Sequence, residues 1–199
     1  AVVAVAAPQG PLVLAGHSMG GMAVLAFAGR HREEFRERVR GVVLVSTAAG
    51  DLSVRRSLPE ALVMQALARA PRLPTGRALS VFGQEWLLFG DAPRPQDVQE
   101  VRDQLAGTSL PTIGQFYAAL GDHDEAESAA QLAGVRTDIL VGARDRLTPV
   151  HHSRRLGELI PHSHVTVLPG LGHMLTYEAP GALAAVLRSH LDAAQAEGG

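Results

Sequence analysis

The chain has 199 residues, 46% hydrophobic and 19% charged, with a formal net charge of −2. That length fits one domain, or one with an insertion, and the composition excludes a disordered chain. The near-balanced charge gives no reason to expect nucleic acid or an anionic membrane surface as a partner, and the lack of Cys excludes disulfides, thiolate zinc sites and a thiol nucleophile.

Residues 1–7 are apolar but too short to span a membrane, and they lack the basic flank of a signal peptide. No run reaches the roughly 18–20 apolar residues of a membrane helix, and a cytoplasmic location is the expectation. There is no initiator Met, which suggests a processed or cut chain. All 18 basic residues are Arg, and there is no Asn to accept an N-glycan.

Four short Val/Leu/Ile-rich runs follow, at residues 12–15, 42–45, 139–141 and 165–168, each bounded by Gly, Pro or polar turns. Most are continuous rather than alternating, the pattern of parallel strands buried on both faces. Helical spacing follows the first run at Met22, Leu25, Ala26 and Gly29, the third over residues 150–160 and the fourth over residues 180–191. This alternation predicts an α/β fold: a sheet of parallel strands flanked by helices.

Residues 50–134 break the alternation. Three helical stripes occur there: Val63, Ala66, Leu67 and Ala70; Val98, Val101 and Leu105; and Ile113, Phe116, Tyr117 and Leu120. Pro- and Gly-containing breaks separate them. The expectation is a helical cap at 50–134, inserted between core segments 1–49 and 135–199.

Gly16-His-Ser18-Met-Gly20-Gly21 lies between the first strand and the helix after it. A serine on so sharp a strand-to-helix turn is strained and presents its hydroxyl at the top of the sheet. Close chain passage there demands Gly two positions before and after it. The helix N-terminus aims its free amides at the same spot, and the Met19 amide suits an oxyanion. A serine needs a base, and the base needs an orienting group. Asp145 lies just past the third strand and His173 just past the fourth, in the order serine, acid, histidine expected for this turn. All three fall beyond the carboxyl ends of strands, where an open α/β sheet builds its site.

With these motifs the chain resembles the α/β-hydrolase superfamily, and most closely its members with a GHSMGG elbow and a helical cap. The resemblance runs nearly end to end through the elbow, the strand before Thr47, the Gly-x-x-Asp-x-x-x-Pro loop and the Gly-x-Gly-His-Met loop. It implies Ser18 as nucleophile, His173 as general base and acid, Asp145 as the group orienting His173, and the Met19 N–H as one oxyanion donor. It further implies a cofactor-free serine hydrolase without a metal, acting on a small, hydrophobic ester, thioester or amide. A cofactor-free perhydrolase and a non-catalytic binding module remain open. In that superfamily several strands precede the elbow strand, and a loop among them supplies a second oxyanion donor. Here only about ten residues precede it. The expectations are an inactive fragment of a longer enzyme, or a partner chain that supplies the missing strands, with self-association through the bare sheet edge.

Other candidates have plainer readings. Asp51, past the second strand, is an alternative acid. His123 and Asp124 suit a helix exit. His151 and His152 should face different ways, which makes metal binding improbable. His17 reads as structural, and His31, His162, His164 and His190 as surface residues. Residues 30–40 alternate in charge like a solvated helix face. Met22, Met64 and Met174 read as core, with Met174 near the cleft. Residues 86–89 (Trp-Leu-Leu-Phe) line an acyl pocket or anchor the cap.

Overall fold

A computed structural model describes residues 2–52, 69 and 84–196. In chain order these form α1 (Val2–Ala6), β1 (Leu12–His17), α2 (Met19–Arg30), α3 (Arg32–Arg38) and β2 (Val39–Val45), then α4 (Gln84–Leu88), α5 (Pro95–Ala106), α6 (Leu110–Gly121) and α7 (Ala126–Ala129). A 3-10 turn at Ala130–Leu132 leads into β3 (Arg136–Gly142), α8 (Val150–Leu159), β4 (His164–Leu168), α9 (Leu175–Glu178) and α10 (Pro180–Ala196). None of the described helices is long and apolar enough to cross a membrane.

The four strands make one parallel sheet in the order β1-β2-β3-β4. Consecutive side chains of a strand point to opposite faces, and this splits the apolar runs between two cores. Val42 and Leu44 of β2 join Ile139 of β3 with Leu25 and Ala28 of α2, Phe35 of α3 and Leu156 of α8. Val43, Val45 and Leu140 face the other way, onto Leu175 of α9 and Leu183 of α10. The central strands are therefore apolar at successive positions. The outer strands β1 and β4 are only partly covered.

α3 is solvated as its charge pattern predicts, with Phe35 alone buried. The second and third stripes of the 50–134 segment are α5 and α6. The first stripe and Met64 lie outside the described residues. Ser109 caps α6 by accepting the Thr112 amide, and Pro111 sits in the first turn, where no N–H is needed. Val98 and Val101 pack with Phe89 into a third cluster, against Met174 and Tyr177. Ala129 and Leu132, at the end of the segment, instead pack into the α2 face of the sheet.

His190 departs from its surface reading. It is 1% exposed on α10 and hydrogen-bonds Asp138 of β3 at 2.7 Å through Nε2. Its room comes from Gly41 of β2, where an added Cβ would lie 2.3 Å from the ring.

Candidate active site

Ser18 joins β1 directly to α2. Its φ of 52° and ψ of −119° are a conformation that a residue with a Cβ rarely adopts. The neighbours hold it there. Its N–H donates to Val45 O at 2.9 Å, and its carbonyl accepts the Gly21 amide at 3.0 Å and the Thr47 hydroxyl at 2.7 Å. The glycines serve this turn unequally. A Cβ on Gly16 would lie 2.4 Å from the backbone of Gly20 and Gly21, and one on Gly21 2.6 Å from Thr47. A Cβ on Gly20 would meet nothing within 4 Å, so no clash demands glycine there. The tight turn requires Gly16, Gly21 makes room for the Thr47 side chain, and Gly20 answers neither demand.

Asp145 follows β3 and is 4% exposed. Its carboxylate accepts the Leu147 amide at 2.9 Å, the Thr148 amide at 2.8 Å and the Thr148 hydroxyl at 2.8 Å. His173 follows β4, is 2% exposed, and places Nδ1 3.0 and 3.1 Å from the two Asp145 oxygens. Burial pushes the Asp145 carboxyl up. The hydrogen bond and charge of His173, with the Thr148 bonds, outweigh burial and hold it below the ordinary value. In the neutral imidazole an ionised Asp145 keeps the ring proton on Nδ1 and leaves the lone pair on Nε2.

Asp145 and His173 are thus brought together. Among the described residues, the side-chain bonds of His173 all run through Nδ1, and none reaches Ser18. The link to the serine turn is His17. Its Nε2–H donates to His173 O at 2.8 Å, and the two rings stand 4.9 Å apart. Burial holds the His17 imidazole below its usual value. Sequence reading missed this contact, and Thr148 with it; the Gly-Leu-Gly-His spacing carries no sign of either.

The remaining candidates separate. Asp51 pairs with Arg155 and its side chain is 72% exposed, so it does not serve His173. His151 and His152 do face each other, contrary to expectation, with ring centroids 4.1 Å apart. Among the described residues no His/Asp/Glu group is arranged to hold a metal. His123 reaches back to Ala48 O at 3.1 Å, and Asp124 caps the Ala126 amide at 3.2 Å. Phe89 is buried, whereas Trp86 is exposed, with the Arg146 guanidinium 4.3 Å above its ring. Met19 and Leu147 add exposed apolar surface beside Ser18 and Asp145.

Residues 1–180 match the family described as serine aminopeptidase, S33. The chain belongs to that family. It is similar to the 2-hydroxymuconate semialdehyde hydrolase of Pseudomonas putida, at 28% identity over 94% of this chain and 64% of the relative. It is also similar to RutD of Caulobacter sp. (strain K31), named for carbamate hydrolysis, at 27% identity over 88% of this chain and 63% of the relative. The chain therefore spans less than two thirds of the length of these curated relatives. Among solved structures, the esterase of Thermogutta terrifontis superposes with a TM-score of 0.78 at 21% identity, covering 97% of this chain and 69% of that one. The fold is that of the α/β-hydrolases.

Proposed function

We propose that the chain carries the catalytic residues of a serine hydrolase acting on a small, hydrophobic carboxylic ester, thioester or amide. The observation that carries this reading is the buried His173–Asp145 pair beyond the ends of β4 and β3, with the His173 carbonyl bonded to His17, the residue before a serine held at φ 52°. Such pairing is costly to bury and fixes one imidazole tautomer, which suits a base.

In this reading Ser18 Oγ attacks the carbonyl carbon while His173 Nε2 takes its proton. The oxyanion forms against the Met19 amide at the N-terminus of α2. His173 then protonates the leaving group, and the C–O, C–S or C–N bond breaks to leave an acyl-Ser18. A water molecule, deprotonated by His173, attacks that acyl group. The second tetrahedral intermediate collapses to the acid and free serine. Asp145 offsets the imidazolium charge throughout without taking the proton.

The relatives are named for a carbamate and for 2-hydroxymuconate semialdehyde, and the family for aminopeptidases. Names so diverse leave the substrate to the local surface. Met19 and Leu147, next to Ser18 and near Asp145 in the chain, expose apolar side chains, which favours a hydrophobic acyl or alcohol group. The 50–134 segment is proposed as the cap that closes over it. A fluorophosphonate probe tests the reading. Stoichiometric labelling mapped to Ser18 and lost in Ser18→Ala supports it, and a folded protein that takes up no label refutes it.

A further inference from the structure

The backbone around His173 is held by a segment far away in the chain. Leu88, the last residue of α4, accepts the amides of His173 at 2.8 Å and Met174 at 3.1 Å on one carbonyl. Two residues on, the Gly90 amide donates to Glu178 Oε1 at 2.7 Å. The same carboxylate accepts the Gly172 amide at 3.0 Å on both oxygens. Gly172 immediately precedes His173, and Glu178 ends α9. One acidic side chain thus ties the segment leaving α4 to the residue before His173.

The packing leaves no slack around these bonds. A Cβ on Gly172 would lie 2.3 Å from the Phe89 carbonyl carbon, and one on Gly90 would lie 2.0 Å from Gly170 O. The two backbones touch because both residues are glycines. Their amides, turned away from any strand ladder, need an acceptor, and Glu178 supplies it. Charge-assisted bonds of this kind are the stronger ones.

Four groups therefore fix His173 in different ways. Asp145 sets the ring rotation through Nδ1, His17 holds the carbonyl, Leu88 holds the amide, and Glu178 anchors the chain just before it. We propose that Glu178 is a positioning residue, which sets where the Nε2 lone pair of His173 stands relative to Ser18. It touches no reacting atom. Its effect runs through the Gly172 backbone, and the inference rests on the hydrolytic reading of Ser18 and His173. A misplacement of about 1 Å in such a group costs about 10²-fold in rate.

The test uses the whole chain with Glu178→Ala and Glu178→Gln. Glutamine can keep one oxygen on both amides but replaces the second acceptor of the Gly172 N–H with an NH2 donor. Four quantities are measured: the second-order rate constant of fluorophosphonate labelling, the labelled fraction of folded protein, the melting temperature, and the low-field proton signal of His173 Nδ1–H. The expected result is an alanine variant labelled about 10²-fold more slowly. The glutamine variant should fall between it and wild type, with an undiminished labelled fraction and a shifted or broadened His173 signal. A merely structural role gives the opposite pattern: a lower melting temperature and a smaller labelled fraction, with the wild-type rate constant and an unmoved signal. That pattern overturns the proposal. If the alanine variant does not fold, the glutamine variant carries the same comparison. Absence of labelling in the wild-type protein would break the hydrolytic reading alone. The His173 signal would then decide, since movement in the variants sustains the positioning and an unchanged signal removes it.

Discussion

Replacing Asp145 with Asn changes the site by a few atoms and reverses its proton logic. The carboxylate accepts from His173 Nδ1, from the amides of Leu147 and Thr148, and from the Thr148 hydroxyl. Asparagine can keep its oxygen on the two amides, where Oδ1 already sits. Its NH2 group then faces Thr148 Oγ1 and His173 Nδ1. A donor there favours the tautomer with the proton on Nε2, which cannot accept the Ser18 proton. The expected loss in kcat is about 10⁴-fold, or about 5.5 kcal/mol of transition-state stabilisation. Because most of the hydrogen bonds survive, the stability cost should be only about 1–3 kcal/mol. Steady-state hydrolysis of an activated ester gives the first number, urea unfolding the second, and nitrogen NMR of His173 the tautomer. An Asn variant within about tenfold of wild type, folded and with Nδ1 still protonated, would show that Asp145 does not set the His173 tautomer.

Further outcomes are expected from the same geometry. Gly16→Ala drives a Cβ to 2.4 Å from fixed backbone and should destabilise the chain by about 3 kcal/mol or more. Gly20→Ala meets open space in a helix and should fold with wild-type stability or slightly better; chemical denaturation compares the pair. Phe35→Ala empties a fully buried site between α3 and β2 and should cost about 3–5 kcal/mol, read from the same curves. Burial lowers His17 and His152 below the imidazole value of 6.5, so the unfolded chain binds more protons just below that pH. Stability should therefore be complete above about pH 6.5 and fall as pH drops through the lowered folded values. Asp145, also lowered, extends the loss into the carboxylate range. A urea midpoint that does not move between pH 7.5 and pH 5.5 would contradict this. Among the described residues β1 has a strand neighbour on one side only, so self-association should grow with concentration; sedimentation that stays monomeric contradicts it.

What could be read from the sequence was local. Val42, Val43, Leu44 and Val45 announce a central strand because every position is buried, whichever face it meets. Asp145 and His173 were legible because short loops after apolar runs place them at one end of the sheet. Interactions across the chain were not legible. His190 sits in the polar string Arg-Ser-His-Leu-Asp, and only Gly41 and Asp138, on two strands, turn it into a buried pair. His151 and His152 are neighbours whose positions on a helix diverge, yet their rings meet at its first turn. Glu178 looks like any surface glutamate, because its Gly90 partner lies 88 residues away. Gly20 shows the reverse error: the motif implied a clash that this backbone does not contain.

In the proposed mechanism Ser18 and the His173–Asp145 pair form one reacting unit. A crystal structure of the protein after phosphonate treatment tests it most directly. Phosphorus should be bonded to Ser18 Oγ, with a phosphoryl oxygen within hydrogen-bond reach of the Met19 amide and His173 Nε2 against Oγ or the departing oxygen. An adduct on another residue, or a His173 ring turned away from a modified Ser18, would contradict it.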